Sequence, residues 1–168
     1  MTPLFWAALA IVGVQRLAEL AYARRTSAGL EARGARAVRP DGYAAIVAVH
    51  ILFFVGCAAE AILSPWAGLG TWTWVGAGAF VVGAFLRYWS MAVLGDRWST
   101  RVYVVDHPLV ARGPYRLLRH PIYLGVSLEI AGFALAFGLW GTLSMASVGN
   151  GLALHRRIRT EVAALVEK

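Results

Sequence analysis

The residues best able to do chemistry lie at 107–125, HPLVARGPYRLLRHPIYLG, and in HRRIRTEVAAL from His155 onward. Two X-Pro steps, His107-Pro108 and His120-Pro121, bracket a short basic amphipathic stretch. Gly113-Pro114 makes a turn, and Pro121 biases His120 away from helix. Two readings follow from this alone. One is an interfacial helix attracted to anionic lipid. The other is non-helical backbone at a membrane surface, offering N–H and C=O groups to a ligand. Other chemistries lack their residues. No His, Cys and carboxylate cluster has zinc spacing, so no metal is expected, and there is no Ser/His/Asp order or nucleophile elbow. Gly76-Ala-Gly78 has no strand before it and is not a dinucleotide fingerprint. The lone Cys57, inside an apolar run, excludes a disulfide framework and a Cys-rich metal site.

A second set of polar residues is notable for where it stands. Arg16, Glu19, His50, Glu60, Arg87 and Glu129 interrupt otherwise apolar runs. A charge at mid-membrane costs roughly 2.5–3.5 kcal/mol on insertion scales, so each needs a partner or a role. Arg16 and Glu19 are three apart on one helical face and are expected to pair locally. Arg87 is expected either to snorkel to the nearby interface or to line a pocket. Glu60 is expected to reach water, His50 to be packed, and Glu129 to be either structural or functional. Gly76, Ala79, Gly83 and Ala84 recur at near-helical spacing and are expected to be a helix-packing face.

The elements that must carry these residues follow from composition. The chain has 168 residues, 59% hydrophobic and 15% charged, with a net charge of +7 and 16 Lys+Arg. The pI is about 10.3 and the mean hydropathy +0.61. That balance rules out an ordinary soluble domain, and with it the basic face of a nucleic-acid binder. Runs at 3–23, 43–63 and 72–94 are each long enough to cross a bilayer. The first has no basic region before it and is expected to be a span rather than a cleaved leader. Segments 24–42 and 95–119 and the tail from His155 hold nearly all the Arg, whereas 64–70 (SPWAGLG) is uncharged. The positive-inside rule places the basic segments in the cytoplasm and the N-terminus outside. Arg119 and Arg156 then share a side. Residues 125–154 are therefore expected to form a hairpin of two short helices, about 13 residues each, turning near Gly138-Leu-Trp-Gly141. A single tilted helix is the alternative. Trp6, Trp66, Trp72, Trp74 and Trp140 fall near the outer interface. The expected fold is an all-α integral membrane protein of about five membrane helices. It forms one membrane-embedded domain, 1–168, with three spans in 1–94 and a cytoplasmic cofactor-binding loop and C-terminal helix in 95–168.

Gly113-Pro-Tyr-Arg116, then Arg119-His-Pro-Ile-Tyr-Leu-Gly125, then Arg157-Ile-Arg159-Thr-Glu161-Val-Ala-Ala-Leu165, resemble the three ordered blocks of the isoprenylcysteine carboxyl methyltransferase family. These are integral membrane enzymes that use S-adenosylmethionine. Gln15-Arg-Leu-Ala-Glu19-Leu and His50-Ile-Leu-Phe-Phe54 extend the likeness to a short bacterial branch linked to O-methylation of alkylpyrones or alkylresorcinols. The resemblance implies that His107, Pro108, Leu109, Val110, Tyr115, His120, Pro121, Ile122 and Tyr123 form the cofactor pocket, with Glu161 meeting the cofactor's charged groups. Arg157 would face the substrate's anionic oxygen, with Arg159 a second candidate. Two departures matter: Val162 stands where the family has a second acid, and the aromatic tail of longer members is missing.

The function this implies is S-adenosylmethionine-dependent O-methylation of a lipophilic acidic hydroxyl or carboxylate, drawn from membrane lipid or a prenylated substrate. Alkylpyrone or phenolic lipid comes first and isoprenylcysteine carboxylate second. An NADPH-dependent membrane reductase and a non-catalytic membrane binding protein are the readings from other classes.

Overall fold

The computed structural model describes residues 2–64, 70–104 and 110–166, with side chains in the last helix to 164. Five helices account for nearly all of it. Pro3 opens α1 (Pro3–Ala32) at a first-turn position, where its missing N–H leaves no bond unmade. The helix stops at Gly34, φ +84, a left-handed residue that lets Ala35 N–H return to the Leu30 carbonyl at 3.0 Å. Thus α1 runs past the expected end at 23, and Arg24 and Arg25 are helical rather than loop residues. At 30 residues it is about 45 Å long, more than a hydrocarbon core requires. The expected bounds of the next two spans are nearly met by α2 (Tyr43–Leu63) and α3 (Thr71–Leu94). All three helices are long and apolar enough to cross a membrane.

Residues 125–154 form a hairpin and not one tilted helix. Pro121 starts α4 (Pro121–Ala136), and Gly138 at φ +67 reverses the chain, with Leu139 N–H bonding the Ala134 carbonyl at 2.8 Å. The next helix, α5 (Trp140–Val166), begins directly after. The arms are unequal, 16 and 27 residues. No Pro interrupts 140–166, so the second arm continues into the Arg-rich tail, and the expected separate C-terminal helix is the lower part of α5.

Among the described residues, α3 and α4 approach so closely that their backbones touch. Gly76 and Gly83 face Gly132 and Gly125, each pair of glycines spaced by seven along its own helix. A Cβ built on Gly76 would lie 2.3 Å from Ala136 N, and one on Gly125 would lie 2.8 Å from the Gly83 carbonyl oxygen. The expected small-residue face is therefore real, and its two glycines are the members fully buried. Packed around α4 is an apolar core that joins Phe5, Phe53, Cys57, Ile130, Phe133 and Leu139.

The three basic segments share one end of the bundle. β1 (Arg36–Ala37) pairs antiparallel with β2 (Tyr103–Val104), setting Arg36 opposite Val104 and Ala37 opposite Tyr103. Val38 N–H adds a bond to the Val102 carbonyl at 2.9 Å. Tyr22 stacks on Trp98 at 5.4 Å, and Ser27 bonds Ser99 at 2.8 Å, holding the lower part of α1 against the segment after α3. At the opposite end Trp72 meets Trp140 edge-on at 6.2 Å. Trp66 lies outside the described residues.

Candidate functional site

Pro114 is buried at the centre of a 3-10 turn, Gly113–Arg116, that begins with Gly113 at φ +58. A side chain at 113 would be strained by that φ and would also press on Val93 at 2.8 Å, so the turn is locked against α3. Four residues after that turn His120 precedes α4, and buried Pro121 fixes its first turn. One helical turn on, Tyr123 stacks on His120, with ring centroids 5.3 Å apart and planes 14° from parallel. Both rings meet Glu161 of α5. Tyr123 OH donates to Glu161 Oε1, and His120 Nδ1 lies 3.5 Å from Oε2. Burial and the Glu161 charge push the Tyr115 phenol above its ordinary pKa.

Arg157 is one turn before Glu161 on α5 and is buried, with 3% of its surface exposed. Its Nη1 donates to the Asp41 carbonyl at 3.0 Å and its Nη2 to the Thr100 carbonyl at 2.9 Å. Its Nε lies 3.3 Å from both Tyr123 OH and Glu161 Oε1. The guanidinium therefore joins the loop before α2, the segment after α3, and helices α4 and α5. The Asp41 carboxylate stands beside it, with Oδ2 3.5 Å from Nη1, while Oδ1 accepts from Tyr43 N–H at 3.1 Å and Arg101 Nη1 at 3.3 Å.

Of the residues singled out from the sequence, Tyr115, His120, Pro121, Tyr123, Arg157 and Glu161 come together here. Ile122 points elsewhere, into a small apolar cluster with Ala23, Met91 and Trp98. Val110 is half-buried, and His107, Pro108 and Leu109 lie outside the described residues. Arg159 is exposed, about 200° around α5 from Arg157, so the two cannot share one side of the helix. Val162 is 50% exposed. Sequence reasoning missed Asp41 and Thr100. Asp41 reads only as a turn residue in Pro40-Asp-Gly42, and Thr100 acts through its backbone carbonyl.

The polar residues inside the spans form a second centre. Arg16 donates to Glu19 at 3.0 Å, as the local spacing implies, but also to Glu129 at 2.5 Å. Arg87 does not snorkel. It is 2% exposed, and it bonds Glu129 Oε1 at 2.9 Å and pairs with Glu19. Tyr88 OH donates to Glu19 at 3.0 Å. Two arginines thus balance two glutamates across α1, α3 and α4. His50 is packed as expected, with Nδ1 2.8 Å from the Ile46 carbonyl; it borders a cavity of about 10 Å³ beside Arg16 and Glu129. Glu60 does not simply reach water. It accepts from Gly141 N–H at 3.0 Å, Thr142 N–H at 2.7 Å and Thr142 Oγ1 at 2.8 Å, capping the first turn of α5 from a different helix. Among the described residues no cluster of His, Cys, Asp and Glu could hold a metal ion.

Residues 74–167 match the isoprenylcysteine carboxyl methyltransferase family. Among curated proteins, the uncharacterized protein YpbQ of Bacillus subtilis (strain 168) is 36% identical over 171 residues, covering 98% of each chain. No solved structure matches the chain.

Proposed function

Because the chain belongs to the isoprenylcysteine carboxyl methyltransferase family, we propose that it is an S-adenosylmethionine-dependent O-methyltransferase of a lipophilic acidic hydroxyl or carboxylate. An alkylpyrone or phenolic lipid is the favoured acceptor. The observation that carries this reading is the Glu161 carboxylate, partly exposed, contacted by His120 and Tyr123 and with Tyr115 near enough to feel its charge, at the basic end of a membrane bundle. A carboxylate among aromatic faces suits a ligand with both positive charge and a planar ring, and S-adenosylmethionine is such a ligand. The residues present fit it.

When bound, that cofactor would supply a methyl group made electrophilic by its sulfonium. The protein's own task is alignment and exclusion of water. Glu161 would meet the cofactor's positive groups, and the stacked His120 and Tyr123 rings would give its planar part a face. Tyr115, neutral at physiological pH, would donate or accept a hydrogen bond without adding charge. Arg157 would orient the acceptor's oxyanion with guanidinium N–H groups that the Asp41 and Thr100 carbonyls leave; Arg159, exposed on the other side of α5, does not join it. An acceptor carboxylate is already ionised at neutral pH and a hydroxypyrone enol is acidic enough to need no strong base, while a phenolic hydroxyl, with an ordinary pKa of about 10, would pass its proton to water or a nearby carboxylate before transfer.

The basic end is assigned to the cytoplasm, where the cofactor is made, and the apolar flanks of the bundle to the lipid from which the acceptor arrives. The family's description favours a second acceptor, an isoprenylcysteine carboxylate. Membranes containing the protein, incubated with methyl-labelled S-adenosylmethionine and a lipid extract or an isoprenylcysteine, decide between them. Label is expected in a phenolic or pyrone lipid. Label in an isoprenylcysteine ester would shift the assignment to the second acceptor. Tight NADPH binding, with no binding of S-adenosylmethionine, would overturn both.

A further inference from the structure

We infer that Asp41, supplied by the N-terminal half of the chain, is a positioning residue of the candidate site: its carboxylate shares the Arg157 charge with Glu161 and so leaves the Glu161 carboxylate incompletely neutralised and able to attract a cationic ligand. The inference rests on the methyltransferase reading given above. Asp41 lies outside the segment that matches the family, 74–167, so nothing in that match assigns it a role.

Three observations carry it. First, Asp41 is 4% exposed, an unusual burial for a loop carboxylate, and its Oδ2 makes no hydrogen bond while standing 3.5 Å from Arg157 Nη1. Second, the guanidinium is divided between two anions on opposite edges. Its Nη edge faces Asp41 and the Thr100 carbonyl, and its Nε edge faces Tyr123 and Glu161. Third, the two shortest contacts of the cation, 3.0 and 2.9 Å, go to the Asp41 and Thr100 carbonyls, while the two carboxylates stand at similar distances, 3.3 Å for Glu161 and 3.5 Å for Asp41, so neither takes the charge alone. The backbone around Asp41 is fixed by the pairing of 36–38 with 102–104 and by the bond from Tyr43 N–H.

With Asp41 ionised, one buried arginine serves two carboxylates. Arg101 also touches Asp41, but it is 42% exposed and lies over the Tyr43 ring, so solvent screens most of its charge. If Asp41 loses its charge, Glu161 becomes the sole anion beside Arg157, and the pair closes on itself. The carboxylate would then be neutralised from within the protein and would attract an external cation less.

S-adenosylmethionine and S-adenosylhomocysteine test this directly, because they differ by the methyl group and the sulfonium charge. Calorimetric titration of the full-length protein in detergent should give, for Asp41→Asn, a Kd for S-adenosylmethionine raised about tenfold. The Kd for S-adenosylhomocysteine should rise by about twofold or less. Loss of structure alone would weaken both ligands alike, so an equal loss would overturn the proposal, as would no change in either. Asp41→Glu keeps the charge and should preserve the wild-type ratio of the two affinities. If Asp41→Asn does not fold, a collapsed ratio in Asp41→Glu overturns the inference and a preserved one supports it. Failure of the wild-type protein to bind either ligand would instead overturn the methyltransferase reading itself.

Discussion

Arg87 and Glu129 face each other across the α3–α4 contact, with Nη2 donating to Oε1 at 2.9 Å and Nε 2.8 Å from Oε2. Both side chains are at most 2% exposed. Breaking such a pair leaves a buried charge with fewer partners, at a cost of about 3–5 kcal/mol. Glu129→Gln is expected to lose stability on that scale, because Arg16 and Arg87 would then share Glu19 alone. The double variant Arg87→Met, Glu129→Leu should lose less than either single change, since the Arg16–Glu19 pair survives it. Thermal unfolding in detergent reads both; a double variant that loses as much as the sum of its two single changes, or more, would contradict the pairing.

The glycine contact predicts a steep dependence on position within one helix. Gly76→Ala and Gly83→Ala would each drive a methyl group into backbone atoms of α4, at 2.3 and 2.7 Å, where no flexible side chain can yield. We expect each to destabilise by about 2–3 kcal/mol or more, the upper range for overpacking. Gly78, with nothing within 4 Å of its added Cβ, is the control. Gly78→Ala should be neutral or slightly stabilising, by up to about 1 kcal/mol. Equal effects at 76 and 78 would contradict the close approach.

Glu60 caps α5 from α2, so its loss should act on that helix. Glu60→Ala is expected to cost about 0.5–2 kcal/mol of stability, the range for removing an N-cap side chain. Methyl transfer should be unaffected below the melting range, because Glu60 lies at the end remote from Glu161. A change in turnover without a change in melting would argue against a purely capping role.

At the candidate site the two charged α5 residues should separate by what they change. Glu161→Ala is expected to weaken S-adenosylmethionine binding while leaving the fold in place, since the residue is partly exposed. Arg157→Ala is expected mainly to lower turnover, and also to lower the melting temperature, because two backbone carbonyls lose their donor. Wild-type activity in both variants would refute the assignment of the site.

Sidedness can be read with single cysteines. Cys57 is buried, so the native thiol gives little background to a membrane-impermeant reagent. Cysteines at 33 and 112 are expected to label from the cytoplasmic face, and one at 71 from the other. Opposite labelling of 33 and 112 would break the arrangement in which Arg33 bonds the Asp96 carbonyl and Arg112 the Val93 carbonyl, both at or just beyond the C-terminal end of α3.

Much of the fold was legible because its signals are local. Apolar runs mark α2 and α3 nearly to the residue, and Gly138 marks the hairpin turn. The end of α1 was not, since Arg24 and Arg25 read as loop charge although Arg is a good helix former. Long-range polar pairs leave no local trace. Arg87 finds Glu129 across 42 positions, and Arg157 finds Asp41 across 116. For the same reason the local pair Arg16–Glu19 was readable and the four-charge centre containing it was not. At the candidate site, the motif blocks pointed to Tyr115, His120, Tyr123, Arg157 and Glu161, while Asp41 carried no motif at all.

The short α4 also bears on how the chain enters a bilayer. Its 16 residues span about 24 Å, less than a hydrocarbon core of about 30 Å, and it carries a buried glutamate at its middle. As it emerges from the ribosome, such a segment would partition poorly by itself. Its glycines are matched by Gly76 and Gly83 of α3, and Glu129 by Arg87 of α3 and Arg16 of α1, all synthesised earlier. Insertion of the α4–α5 hairpin should therefore be templated by α1 and α3 already in place, so that the helices bearing the candidate site enter the membrane after them.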